Sequence, residues 1–110
     1  MTRNYLGEFE ELILTIVGIL DNDAYSVSVG RQIYLIVGRN ANLSAVHLTL
    51  QRLEKKGLVI SCFGKPTKER GGRRKKLFQL TPAGQTTLAH LRRARLELWE
   101  KLDKRQSQLK

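Results

Sequence analysis

Apolar residues in the first part of the chain recur at intervals of three and one, which places them on one stripe of a helix. We predict this first helix from Leu6 to Leu20, and the polar run Asp21-Asn22-Asp23 ends it. The stripe consists of Phe9, Leu12, Ile13, Ile16, Val17 and Leu20.

A second helix is predicted from Ser26, whose hydroxyl can accept a hydrogen bond from a free amide of the first turn, to Gly38. Its second half is apolar on most sides, so we expect this helix to be either deeply buried or partly covered by another subunit. The apolar residues are Ile33, Tyr34, Leu35, Ile36 and Val37.

The third helix has the clearest limits. Asn42 is the predicted N-cap, and Gly57 follows a basic last turn as a left-handed stop. At about 100° per residue, four apolar side chains fall within an arc of about 80° and form the side that faces the core. They are Leu43, Val46, Leu50 and Leu53.

After the third helix the apolar period falls from about 3.6 to about 2, which is typical of strands. Leu58, Ile60 and Cys62 are expected to face the core, and Cys62 is then an inert buried thiol, with a redox switch as the alternative. A second short strand fits Lys75 to Leu80. The turn-rich residues 64–74 lie between the two strands and predict a hairpin with a long, basic tip.

Thr81 followed by Pro82 is typical of a helix N-cap and first turn, and the last helix is predicted to run nearly to Lys110. Its leucines follow a rough heptad track with Trp99 beside it. Such a stripe must pack on the domain, on a second copy of the chain, or on both. The leucines are Leu88, Leu91, Leu98 and Leu102, and we predict that they form a dimer interface.

The predicted order is three helices, two strands and a long helix. This is a mainly α fold with a small β-hairpin, arranged as a winged helix-turn-helix. We expect residues 1–81 to form a winged-helix DNA-binding domain and residues 82–110 to form a C-terminal dimerisation helix that packs on the same domain and on the partner subunit.

The 110 residues include 20 Lys and Arg against 10 Asp and Glu, a formal charge of +10 that is unevenly placed. Basic and acidic residues balance up to Ser61. Seven basic residues and one acidic residue follow between Cys62 and Thr81, and seven basic and three acidic residues follow from Pro82. Concentrated positive charge indicates a polyanionic partner. A basic face kept for solubility is the alternative.

The third helix and the hairpin supply the candidate DNA contacts. Opposite its core side the helix carries Ser and Gln, which can bond base edges, and Ala and Leu, which can contact thymine methyl groups. The hairpin tip carries cations that can pair with phosphates. The candidates for the recognition helix are Asn42, Ser44, Ala45, His47, Leu48, Gln51 and Arg52. Those for the hairpin are Lys65, Arg70, Arg73, Arg74, Lys75 and Lys76.

Other chemistry is sparse in the sequence. One cysteine and two histidines, His47 and His90, do not make a zinc site, and no catalytic constellation or nucleotide-binding loop is present. We therefore predict no enzyme activity, no metal and no cofactor. No apolar run is long enough for a membrane span, and the N-terminus lacks the pattern of a signal peptide, so a cytoplasmic location is expected.

Several segments together resemble the PadR-like transcriptional regulators over residues 6 to 90. The hairpin is the most specific part, because a Pro, an Arg-Gly-Gly-basic run, an aromatic strand and Thr-x-x-Gly follow one another in the family's order. The matching segments are Phe9 to Leu14, Asp23-Ala24-Tyr25, Leu50 to Val59, Gly64-Lys65-Pro66, Arg70 to Arg74, and Leu80 to Gly84.

The resemblance implies a homodimeric cytoplasmic repressor that binds double-stranded DNA at a pseudo-palindromic operator and is released by a small aromatic or lipophilic effector. It also implies that the C-terminal helix packs with the first helix of the partner. Trp99 and Tyr34 are the candidate effector-pocket residues, and for Trp99 a core or interface anchor is the alternative.

The chain departs from the family pattern at two places. Ser44-Ala45-Val46-His47 replaces a Gly-Ala-Leu-Tyr-like run, and the second helix is apolar where it is usually charged. That apolar surface suits an effector pocket, an additional protein or a membrane partner. A different class of function also stays open, in which a small protein-interaction module binds an acidic partner or an anionic membrane surface through its basic hairpin.

Overall fold

The computed structural model describes residues 6–66, 71 and 74–109. Its elements follow the predicted order and confirm a mainly helical winged-helix fold. The helices are α1 (Glu8–Leu20), α2 (Ser26–Gln32), α3 (Leu43–Lys55) and α4 (Pro82–Gln108), and the strands are β1 (Val59–Phe63) and β2 (Lys76–Leu80). A 3-10 turn, Asp21–Asp23, follows α1, and a π-helical turn, Ile33–Val37, follows α2.

Helix α1 crosses the centre of the core. Ile13, Ile16 and Val17 are buried as the stripe predicts, and Leu14 is buried beside them because the apolar arc of this helix is wider than one stripe. The core also takes side chains from α2, α3 and both strands. These core residues are Ala24, Val29, Val46, Leu50, Leu53, Leu58, Val59 and Phe78.

An ion pair ties the start of α1 to the end of α3. Lys56 Nζ lies 2.8 Å from Glu10 Oε2, and the Gly7 amide donates to Glu10 Oε1 at 3.1 Å. Burial alone would raise the pKa of the Glu10 carboxyl. The hydrogen bonds from Lys56 and Gly7, with the positive charges of Lys56 and Arg52, hold that pKa below its usual range instead.

This depressed pKa predicts a pH-dependent contribution to stability. The contribution is present above the ordinary pKa of a glutamate and is lost as the pH falls through the lower pKa of the folded state. We expect Glu10→Gln to cost about 0.5–1 kcal/mol at pH 7 and less near pH 3, measured by denaturant unfolding at both pH values. Glu97→Gln, in the exposed pair with Lys101, is the control. An equal cost for Glu10→Gln at both pH values would contradict the role of the ion pair.

Helix α2 begins at Ser26 as predicted, but Ser26 is not its N-cap. Tyr25 takes that position, and its amide donates to Ser28 Oγ at 3.0 Å, while Ser28 Oγ donates to the Asp23 carbonyl at 2.6 Å. The cap therefore forms around a serine two residues further on. The helical path ends at Gly38 as predicted, with a φ of 72°.

Helix α3 has the predicted caps. Asn42 Oδ1 accepts hydrogen bonds from the amides of Ser44 and Ala45, and Gly57 has a φ of 77°. The core side differs at one position, because Leu43 is 52% exposed and the core begins one turn later at Val46. Thr49 is buried on that side instead, and its hydroxyl donates to the Ala45 carbonyl at 2.8 Å.

The hairpin is antiparallel, with Val59 opposite Leu80 and Phe63 opposite Lys76. The predicted alternation is wrong in phase: Val59 is buried, whereas Ile60 and Cys62 are exposed. Leu58 is buried just before the strand begins, where its amide bonds the Leu53 carbonyl at 3.0 Å. This turn brings two consecutive residues into the core, so the alternation is shifted by one residue at Val59 and Ile60 relative to the prediction, while Phe63 is exposed as its predicted position implies.

Helix α4 begins at a tight joint with the hairpin. Thr81 Oγ1 accepts from the Gly84 amide at 3.0 Å and donates to the Gly57 carbonyl at 2.6 Å. Gly84 is buried directly against the Leu58 carbonyl, which a Cβ at this position would approach to 2.1 Å. Further along, the Arg95 guanidinium pairs with the Glu11 carboxylate of α1 at 3.0 Å.

Candidate nucleic-acid interface

The outer face of α3 carries the predicted recognition residues. At about 100° per residue, Ser44, Leu48 and Gln51 lie opposite the buried residues Val46 and Leu53. Ser44 and Leu48 are exposed, and Gln51 is half-buried. The outer face of α3 thus presents two polar side chains and one apolar side chain.

Three other predicted recognition residues lie at the start or at the edge of this face. Asn42 is exposed, but its side-chain oxygen is used in capping α3, which leaves its amide nitrogen as the donor it can offer. Ala45 and Arg52 are exposed at the edge of the face. The structure brings all seven predicted residues to α3 or its cap.

A groove of about 500 Å³ runs between α3 and the hairpin. Three cationic side chains line it against one carboxylate, which makes it attractive to a polyanion. Its lining residues are Leu48, Gln51, Arg52, Glu54, Lys55 and Lys76. The carboxylate of Glu54 is turned to the hairpin, where its Oε2 accepts from the Ser61 amide at 3.1 Å and from the Ser61 hydroxyl at 2.6 Å.

The base of the hairpin is held to the helical body by backbone and side-chain contacts. The Phe78 amide donates to the Ala24 carbonyl at 2.8 Å, and Gln79 Nε2 donates to Asn22 Oδ1 at 2.7 Å. Lys75 Nζ lies 4.4 Å from the centroid of the Tyr25 ring, a cation–π distance. These contacts set the direction in which the hairpin leaves the core.

The predicted hairpin cations are only partly within the described residues. Lys65 and Arg74 are exposed, and Lys75 and Lys76 are half-buried at the end of the paired strands where the hairpin loop begins. Gly64 closes the strand pair, because its amide donates to the Lys75 carbonyl at 2.8 Å. Arg70 and Arg73 lie outside the described residues.

His47 lies on the flank of α3, as predicted. Its Nδ1 is 3.2 Å from Ser26 Oγ, so it joins the start of α2 to α3. A second groove, of about 490 Å³, lies on this flank and is more apolar than the first. It is lined by Ser26, Leu43, Ser44, His47 and Leu48.

The predicted dimer and effector residues divide into two groups. Leu88 and Leu91 pack against the core of their own domain, whereas Leu98 and Leu102 are exposed on the later turns of α4. Trp99 is 60% exposed and Tyr34 is 59% exposed, so neither is enclosed within the single chain. Their roles at a dimer interface or in an effector pocket remain predictions.

Sequence reasoning missed the residues that position the hairpin. Tyr25, Glu54 and Ser61 each connect the hairpin to the helices, through the contacts given above. Their partners are distant along the chain or across a turn, so no local pattern marks them.

Within residues 6–66, 71 and 74–109, no cluster of three or more His, Cys, Asp or Glu side chains is arranged to hold a metal ion. None of the helices in the same part of the chain has the length and hydropathy needed to cross a membrane.

Three helices, a two-stranded wing beside α3 and a long final helix define the chain as a winged-helix protein. Among solved structures, a PadR-like transcription factor from Bacteroides fragilis superimposes with a TM-score of 0.74 at 20% identity and covers 87% of each chain. A PadR family transcription regulator from Clostridium difficile gives 0.73 at 21% identity, over 89% of this chain and 97% of that one.

A protein from Streptococcus mutans has the higher identity of 29%, with a TM-score of 0.67 over 86% of this chain and 81% of that one. No protein-family model and no curated protein matches this chain. The predicted resemblance to PadR-like regulators is thus confirmed at the level of the fold.

Proposed function

We propose that this protein is a sequence-specific DNA-binding transcriptional regulator of the PadR-like type. The observation that carries the proposal is the groove between α3 and the hairpin, whose walls are an exposed helix face and a set of cationic side chains. In a winged helix, this arrangement puts the third helix into the major groove and the wing along the flanking backbone. The fold shared with PadR-type transcription regulators from Bacteroides fragilis and Clostridium difficile supports the same function.

The two parts of the interface have different tasks in this proposal. Arg52, Lys55 and the wing cations neutralise phosphates and set the orientation of the protein without reading sequence. Ser44, Leu48 and Gln51 meet the base edges and supply the specificity. In this role binding accounts for the whole activity, without a catalytic step or a cofactor. We propose that it takes place in the cytoplasm, where the DNA is.

Footprinting on the DNA upstream of the protein's own gene tests this assignment. We expect two protected half-sites related by two-fold symmetry, with centres about 34 Å apart along the helix axis. Uniform weak protection without a boundary would contradict sequence-specific binding. It would favour a module that uses its basic hairpin on an acidic partner or a membrane surface.

The proposed regulator is a homodimer in which the exposed stripe of α4 meets a partner. Leu98, Trp99 and Leu102 are all exposed in the single chain, and an apolar stripe of this kind favours a protein contact. An isologous dimer would also match the two-fold symmetry of a pseudo-palindromic operator.

Negative charge introduced by substitution on the exposed stripe of α4 should separate the subunits. We expect Leu98→Asp together with Leu102→Asp to convert a dimer into a folded monomer, because two carboxylates per chain would be buried without partners. Light scattering after size exclusion measures the mass, and circular dichroism checks the fold. Lys101→Asp on the same helix is the control, since its side chain is 72% exposed and pairs only loosely with Glu97. An unchanged mass for the leucine variant would contradict this interface.

We also propose that the regulator is a repressor released by a small aromatic or lipophilic effector, with Trp99 and Tyr34 as candidate contacts. An exposed tryptophan beside a dimer stripe suits stacking on a flat ligand. Quenching of Trp99 fluorescence by such compounds, together with loss of DNA binding at the same concentrations, would support this role. Quenching without any change in DNA binding would contradict it.

A further inference from the structure

Leu48 occupies an unusual position on the proposed recognition helix. It lies opposite the buried side of α3 and is 57% exposed, so it contributes little to the core. It also lines both grooves that flank the helix, the one towards the hairpin and the one towards α2. Leu48 therefore lies on the exposed ridge of α3 between two depressions.

The chemistry of a leucine restricts what it can recognise there. It has no hydrogen-bond donor or acceptor, so it cannot read the polar groups that distinguish most base edges. The C5-methyl group of thymine is the apolar group that DNA presents in the major groove. Ser44 and Gln51, its neighbours on the same face, can bond the polar edges on either side.

We infer that Leu48 determines sequence specificity by packing on a thymine methyl group, so that the operator has a thymine at the base pair facing this residue. The inference rests on the proposed function and adds the chemical class of the base that is read. Leu43, 52% exposed at the start of α3, lines the groove on the α2 side together with Leu48.

Charge around Leu48 favours DNA over an apolar ligand or a protein segment as the occupant. Arg52 and Lys55 lie on the same outer part of α3, and Lys76 lies across the groove. A small apolar molecule or an uncharged peptide on Leu48 would bring no negative charge to meet these cations, and an acidic peptide would meet the cations without supplying the major-groove methyl group. A DNA duplex brings the methyl group and the phosphates together.

Deoxyuridine substitution tests the contact with little other change, because uracil keeps the hydrogen-bonding groups of thymine and lacks only the methyl group. A duplex selected from random sequence by the full-length protein is prepared with single thymines replaced by deoxyuridine within each half-site. We expect the dissociation constant to rise about fourfold for each half-site in which the thymine facing Leu48 is replaced, the factor that corresponds to exposing one buried methyl-sized group.

The variant Leu48→Ala assigns the contact to the side chain. It removes apolar surface from an exposed helix position where alanine is a good helix former, so folding should be retained. We expect this variant to bind the thymine and deoxyuridine duplexes equally. Ile19→Ala removes a side chain of similar exposure from α1 and should retain the wild-type discrimination.

The outcomes separate this inference from the proposed function. Tight, specific binding by the wild type with equal affinity for both duplexes would overturn the inference and leave the proposed function standing. Unchanged discrimination in Leu48→Ala would do the same. Failure of the wild type to select any duplex would overturn the proposed function and the inference together.

Discussion

Gly84→Ala should unfold the protein at a much lower temperature than the wild type. A Cβ at this position would lie 2.1 Å from the Leu58 carbonyl oxygen, and that oxygen belongs to backbone that cannot rotate away. The Leu58 carbonyl also accepts the Thr81 amide at 3.1 Å, so a shift would break the joint between the hairpin and α4. We expect a loss of about 3 kcal/mol, measured by thermal and denaturant unfolding.

A second glycine supplies a matched control. Gly30 lies within α2 and has no atom within 4 Å of the position that a Cβ would take. We expect Gly30→Ala to be neutral or to stabilise the protein by about 0.5–1 kcal/mol, because alanine loses less backbone entropy in a helix. Similar stability of the Gly84→Ala variant and the wild type would contradict the close approach of α4 to Leu58.

Removing two exposed wing cations should weaken DNA binding on every sequence and make it less sensitive to salt. Lys65 and Arg74 are both exposed where the hairpin leaves the paired strands. Each phosphate that they neutralise releases counterions, so the slope of log affinity against log salt should flatten by about 0.9 for each phosphate no longer neutralised. The double variant Lys65→Ala, Arg74→Ala removes two such cations from each wing. We therefore expect its slope to flatten by about twice this amount for each bound wing, measured by fluorescence anisotropy at several salt concentrations.

The control for this variant removes the same charge elsewhere. Lys104 and Arg105 are exposed near the end of α4, and their replacement by alanine should leave the slope close to that of the wild type. Equal flattening in both double variants would mean that net charge alone, rather than the wing, sets the affinity. Adding Arg73→Ala, which removes another predicted wing cation, should flatten the slope further.

Local signals in the sequence account for most of the element order. Asn42, Gly57 and the pair Thr81-Pro82 mark helix ends through hydrogen bonds and backbone angles that depend on a few neighbouring residues. Such features can be predicted because the residue type and the conformation are directly linked. The fold class followed from these ends and from the change of apolar period after α3.

Features that depend on tertiary contacts could not be predicted in the same way. The predicted alternation of inward and outward residues in β1 is wrong because Leu58 and Val59 both enter the core at the turn from α3. An alternating sequence pattern does not reveal such a turn. Leu43 has the right helical phase for the core, but it lies one turn before the core begins at Val46. The need for glycine at position 84 arises from a carbonyl 26 residues earlier in the chain.

The candidate interface shows the same division. The outer residues of α3 can be predicted from the apolar period of this helix. The residues whose contacts set the direction of the hairpin cannot be predicted in this way. Glu54 joins α3 to β1 through Ser61, and Tyr25 contacts Lys75, so the direction of the wing depends on pairs that only the folded chain brings together.

The most direct test of the proposed function is a competition measurement at about 150 mM salt. The full-length protein is bound to a labelled duplex from its own upstream region and is challenged with unlabelled specific or scrambled duplex of the same length. We predict that the specific duplex competes at least about 1,000-fold better, as expected for a sequence-specific regulator. Equal competition by both duplexes would contradict sequence-specific recognition by α3 and leave only electrostatic binding through the basic hairpin.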